Sequence, residues 1–141
     1  MRKPPTERTR IPADSPSPRL HGGHPPPILH RLDTGEVSEA AGDDAGGLPL
    51  GLVDDAEYTE YRLAVPPRSR VLVYTDGLAD AFPDAGEHRG FGVDGIAESL
   101  RASAHLPLEQ AVQVLFDASH AHTGGAGRHD DTTVVLLERG V

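Results

Sequence analysis

The sequence predicts an α+β fold, and three observations predict it. Strand-like runs come in pairs joined by short turns, as antiparallel hairpins do. Two helical stretches then follow one another, and a last apolar run comes after them. The strict strand–helix alternation of a doubly wound parallel sheet is missing. With 141 residues, a single domain is expected.

Residues 1–20 carry Pro4, Pro5, Pro12, Pro16 and Pro18, with five Lys/Arg and two acids. So few apolar side chains cannot offset the entropy of ordering, and this stretch reads as a disordered Pro/Arg-rich leader. Its basic charge is sparse. The rest of the chain holds 8 basic against 20 acidic residues, and the net charge is −9. An acidic body argues against nucleic acid as the main partner. There is no cysteine, which excludes disulfides and thiolate metal sites. No apolar run reaches the length of a membrane span, and no signal-like segment opens the chain. A soluble cytoplasmic protein without a membrane partner is expected.

Ile28–Leu32 reads as a short strand, Asp33-Thr34-Gly35-Glu36 as a turn, and Val37 as the start of a returning strand, so residues 27–40 form a hairpin. Gly42–Gly47 is an acidic loop, and Pro49–Leu52 is a tight apolar segment between glycines. Tyr58–Val65 alternates, with Tyr61, Leu63 and Val65 on one face, which predicts a half-buried strand. Pro66–Ser69 would turn it into Val71–Tyr74, making a second hairpin. Leu78–Phe82 allows one helical turn, and Pro83–Gly90 is a polar loop. Val93–Ser103 is a helix with Ile96, Ala97 and Leu100 on one face. Leu108–His122 is a longer helix, with Leu108, Ala111, Val112, Leu115, Phe116 and Ser119 in helical spacing. Pro107 suits its start. Thr123–Gly127 is a glycine-rich break, and Thr133–Leu137 is the last strand.

The chain is organised around Arg70–Gly77, where a continuous apolar run stops at Thr75-Asp76-Gly77. Such a run reads as a buried strand, and the carboxylate after it is held at the edge of the core. Gly77 permits a sharp turn and close approach of a ligand. Near the other end, His129-Asp130-Asp131-Thr132-Thr133 leads into Val134–Leu137. If the two strands lie antiparallel, Asp76 and the Asp130–Asp131 pair meet at one end. Hard carboxylate oxygens suit Mg²⁺ or Mn²⁺ over zinc or copper. Two such ions about 3.5–4 Å apart can clamp a phosphate and lower the pKa of a bridging water. The plainer alternative is that each Asp caps a turn, Asp131 above all. His21, His24, His120, His122 and His129 fit solvated or turn-capping roles better than a zinc site, since His120 and His122 point apart on a helix. Gly124–Gly127 lacks the Lys-Ser/Thr of a phosphate loop, and no Gly-x-Ser-x-Gly elbow is present.

Five motifs occur in order: Gly23-His24-Pro25-Pro26, Leu50-Gly51-Leu52, Tyr74-Thr75-Asp76-Gly77, Gly90-Phe91-Gly92 and Asp130-Asp131-Thr132-Thr133. Together, over about residues 21–139, they resemble the bacterial SpoIIE-like branch of the PPM-type (type 2C) metal-dependent Ser/Thr phosphatases. The resemblance implies an antiparallel β-sandwich flanked by helices. It also implies hydrolysis of phosphoserine or phosphothreonine by a water bridging two Mn²⁺ or Mg²⁺ ions. The usual substrate is a phosphorylated anti-sigma-factor antagonist in partner-switching signalling. Carried over by motif, Asp76 and Asp130 are metal ligands, no catalytic residue is implied beyond them, and Gly77, Asp131, Gly23 and His24 support the site.

Departures from the pattern shape the expectation. His21 and Gly22 replace Asn-Ala, and Ser69 stands where an acid is common. The upstream half, with its Gly-Asp-Val-x-Gly motif and bridging Asp, has no counterpart in residues 1–20. Residues 21–141 therefore read as the C-terminal part of the domain, with an incomplete sandwich, exposed apolar sheet surface, one cation or none bound, and little turnover alone. Another chain supplying the missing half is a further expected partner. The alternative function is a non-catalytic regulatory or interaction module derived from a phosphatase half-domain.

Overall fold

The computed structural model describes residues 24–40, 51–57, 62–83, 89–125 and 130–141. Its elements run β1 (Ile28–Arg31), β2 (Val37–Glu39), β3 (Ser69–Tyr74), α1 (Asp76–Ala79), α2 (Gly92–Ala102), α3 (Leu108–His122) and β4 (Val134–Arg139). The strands form one antiparallel sheet in the order β2-β1-β3-β4. The fold is α+β, as expected. Among the described residues the helices cover one face of a single sheet rather than the outside of a two-sheet sandwich.

The first hairpin is where the turn residues put it. The backbone N–H of Gly35 donates to Arg31 (2.8 Å) and that of Arg31 to Glu36 (2.8 Å). Gly35 takes a φ of 72°, a left-handed turn position that favours glycine. Residues alternate across the sheet. Ile28, Leu72 and Tyr74 point to the helical side and are buried with Ile96 and Leu100 of α2 and Leu115 of α3. Of the expected stripes, Ile96, Ala97 and Leu100 of α2 and Ala111, Leu115 and Ser119 of α3 are buried, while Leu108, Val112 and Phe116 are half-buried.

Arg70 also lies on the helical side, only 3% exposed. Its Nε donates to Glu138 (2.6 Å), its Nη1 to the carbonyl of Ser103 (3.0 Å) and its Nη2 to the carbonyl of Leu106 (2.6 Å). A helix end leaves unpaired carbonyls, and this guanidinium serves those beyond α2 while its charge is met by a carboxylate on β4. The opposite sheet face is open at β4, where Val135 is 49% and Leu137 58% exposed.

Two expectations change. The second hairpin does not form among the described residues: β3 already has β1 on one edge and β4 on the other, so no edge is left for Tyr58–Val65. Of that stretch, residues 62–65 carry no strand, and 58–61 lie outside the described residues. The single helical turn after β3 begins at Asp76 rather than Leu78, so Asp76 is part of it. In the Pro49–Leu52 segment, Leu52 is exposed. The expected leader at 1–20 and the loop at Gly42–Gly47 lie outside the described residues. Among the described residues no helix is long and apolar enough to cross a membrane.

Candidate metal centre

The antiparallel pairing of β3 with β4 ends at Tyr74 opposite Val134. Beyond that pair, side chains keep the strands together. The Thr75 N–H donates to the Thr133 carbonyl (3.0 Å), and the Thr133 N–H donates to the Thr75 hydroxyl (2.9 Å). The same hydroxyl donates to the Asp131 carbonyl (3.4 Å). Because Thr75 is engaged across the sheet, its side chain does not cap α1, although it occupies the capping position.

Gly77 comes next, buried against the other loop. A Cβ at this position would collide with the Asp131 carbonyl and sit 2.9 Å from the Thr132 hydroxyl and 3.1 Å from the Asp130 carbonyl. Only a residue without a side chain fits. Gly77 is not among the glycines with positive φ. The expectation of a sharp turn there is therefore corrected: the glycine serves close approach of two backbones. That approach brings the Asp76 turn and the Asp130–Asp131 loop together at one end of the sheet, as the antiparallel reading required.

Asp76, Asp130 and Asp131 are all exposed. One carboxylate oxygen of Asp130 accepts the Asp131 N–H (2.8 Å), which limits its rotation and leaves the second oxygen free. The Asp131 carbonyl takes the Thr75 hydroxyl, and the Thr132 hydroxyl donates to the Asp130 carbonyl (3.3 Å). Among the described residues no three His, Asp or Glu side chains gather as a metal-holding group. Two solvated carboxylates suit a hard cation that keeps several of its waters, the habit of Mg²⁺, better than an all-protein cage.

The other motif residues are placed as follows. β1 runs antiparallel to β3 with Ile28 opposite Leu72, so the chain preceding Ile28 lies at the same sheet end as Asp76. His24 is exposed there, with Nδ1 2.9 Å from the carbonyl of the adjacent Pro25. Gly23 and His129 lie outside the described residues. Gly90-Phe91-Gly92 seats α1: the Phe91 N–H donates to Ala81 (2.8 Å), and a Cβ on Gly90 would come within 2.9 Å of the Ala79 carbonyl. Phe91 itself is in the core. Thr75 and Thr133 stand within the sequence motifs, but nothing in the motifs assigns them a clamping role. Their signal was available in hindsight of pairing alone, as hydroxyls just past two facing apolar runs.

The family model of stage II sporulation protein E (SpoIIE) matches residues 19–140. The chain belongs to the SpoIIE family. Among solved structures, this SpoIIE-family chain is similar to the SiaA-PP2C domain of Pseudomonas aeruginosa, at 26% identity and a TM-score of 0.62. The alignment covers 79% of this chain and 42% of that one, so the SpoIIE-family chain spans less than half of the structure it resembles. No match is found among curated proteins. The SpoIIE match, the α+β architecture and the likeness to a PP2C domain agree on the PPM-type phosphatase family.

Proposed function

We propose that this chain carries the cation-binding end of a PPM-type protein phosphatase, with Asp76 and Asp130 as ligands to Mn²⁺ or Mg²⁺. Its substrate would be phosphoserine or phosphothreonine on a cytoplasmic anti-sigma-factor antagonist. The observation that carries this is the fit of Gly77 against the Asp130–Thr132 backbone, which sets the two carboxylate-bearing turns side by side. A bound divalent cation supplies charge that polarises a phosphoryl oxygen and acidifies a coordinated water. The protein's share is to hold the ligands. Thr75 and Thr133 clamp the strand ends, the Asp131 N–H orients the Asp130 carboxylate, and Gly77 lets the turns touch.

Paramagnetic Mn²⁺ titrated into the ¹⁵N-labelled chain should broaden the amide signals of Asp76, Gly77 and Asp130 first. Asp76→Asn and Asp130→Asn should each abolish that pattern. Broadening elsewhere, or none, would reject these ligands. Mn²⁺-dependent phosphate release from a phosphorylated antagonist tests the reaction itself.

A second reading is a non-catalytic regulatory module. It is favoured by the exposed apolar side chains Val135 and Leu137 on β4, which offer a surface for a protein partner. Mn²⁺ binding at Asp76 and Asp130 without phosphate release, together with binding of the antagonist, would select it.

A further inference from the structure

The end of the sheet away from the aspartates holds a cavity of about 460 Å³, lined among others by Leu32, Arg68, His105, Glu138, Arg139 and Gly140. From Ser69 to Tyr74 the strand spans roughly 17 Å, so this cavity and the Asp76 turn are separate places. Its lining is richer in basic side chains than the acidic chain as a whole. The chain is acidic overall, yet two arginines and a histidine line this one cavity. Its one acidic side chain, Glu138, already meets the buried Arg70 at 2.6 Å, and Val141, which carries the terminal carboxylate, also lines it. Among the described residues the Arg68 guanidinium and the His105 imidazole make no side-chain hydrogen bond. Arg139 gives one nitrogen to the Val65 carbonyl (2.5 Å) and keeps its other donors.

The backbone of Arg68 is the second observation. Its φ is 55°, the left-handed region, and among the described residues no other non-glycine is there. Side chains with a Cβ avoid this conformation unless the surroundings impose it. The surroundings do so here: the Arg68 N–H donates to Gly140 (3.0 Å) and its carbonyl accepts from Leu32 (2.9 Å). Glycine or asparagine would fit this turn more easily. An arginine held there lines the cavity at a conformational cost that the turn itself does not require.

We propose that this cavity is an oxyanion site, in which Arg68 and Arg139 bind a phosphate or carboxylate group and His105 adds a donor. The group comes either from a small free anion or from an acidic or phosphorylated segment of a partner protein. The site needs no metal and does not rest on the phosphatase reading.

The test uses the full chain in metal-free buffer with a chelator, so its outcome is independent of Asp76 and Asp130. Inorganic phosphate and a tetra-aspartate peptide are titrated separately against ¹⁵N-labelled protein. Saturable shifts at Arg68, Ala104, His105 and Gly140 are expected with at least one of them, weakening as sodium chloride is raised. Response to phosphate alone assigns a free anion, and a tighter response to the peptide assigns a partner-borne group. Arg68→Asn keeps a residue tolerant of the left-handed turn and should weaken binding about tenfold, the worth of one charge-assisted contact. Arg139→Gln should weaken it comparably, and Arg89→Gln, whose guanidinium lies in an exposed pair with Asp94, should not. No saturable response to either probe, shifts confined to the Asp76 and Asp130 turns, or undiminished binding in folded Arg68→Asn and Arg139→Gln proteins would overturn the proposal.

Discussion

His30 shows how a single residue can set the pH response of a small core. It is 1% exposed, and neither ring nitrogen has a hydrogen-bond partner. Burial lowers its pKa below the ordinary value of 6.5, and the nearby charges of Arg70 and Arg101 lower it further. The unfolded chain therefore takes up a proton near pH 6.5 that the folded chain resists. Stability from this group is fully present above pH 6.5. It declines as pH falls from there to the lowered folded value, and is flat below it. Urea midpoints at pH 7.5 and 5.5 should show the loss in the native protein. His30→Leu should remove His30's share of that loss, raising stability by about 1 kcal/mol at pH 7.5, since two unpaired polar atoms leave the interior, and by more than that at pH 5.5. Gly77 behaves oppositely. Gly77→Ala forces a Cβ into the Asp131 carbonyl, and an overpacked, backbone-lined contact of this kind should cost about 1–3 kcal/mol in denaturant unfolding. At this scale the aspartates were legible because an acid directly after an apolar run stands out in a sequence. The reason for Gly77 was not, because it lies in a contact with residues more than fifty positions away.

At the scale of elements, α2 and α3 could be read almost to the residue. Their apolar spacing repeats over several turns and answers to one face. The Tyr58–Val65 pairing could not be read. Alternation says that a segment suits a sheet but not which edge will take it, and the long-range partners β1 and β4 claim both edges of β3. The tie between sheet and helices was equally hidden, since an arginine within an apolar run gives no sign of its acceptors. Arg70→Met keeps the bulk of the stem but strips the carbonyls of Ser103 and Leu106 of their donor. A loss of about 2–3 kcal/mol is expected by thermal and urea unfolding, with the α2–α3 turn affected first. Glu138 is half-exposed and can return to water, which keeps the loss from being larger.

For the whole molecule, the open side of the sheet decides behaviour in solution. β4 is an edge strand among the described residues, and it shows Val135 and Leu137 outward. Unpaired edge groups beside exposed apolar side chains invite pairing with another strand. Concentration-dependent association is expected in sedimentation velocity. Leu137→Lys should reduce it while leaving the unfolding midpoint within about 0.5 kcal/mol of the parent, because the position is already exposed. An unchanged association constant would place the contact elsewhere. The apolar character of β4 was plain in the sequence, but which of its side chains stay uncovered shows only once the sheet is in place.

Arg70 also has a kinetic meaning. One guanidinium joins β3, β4 and the turn after α2, so none of the three can open alone without stranding a buried charge or bare carbonyls. Native-state hydrogen exchange should register this as shared protection: the amides at the end of α2 and those of β3 would exchange in one cooperative unit, with a common dependence on denaturant. The short turn α1, which Arg70 does not reach, would exchange earlier. The aspartate end of the molecule would then fluctuate locally while the body stays closed, without any global unfolding.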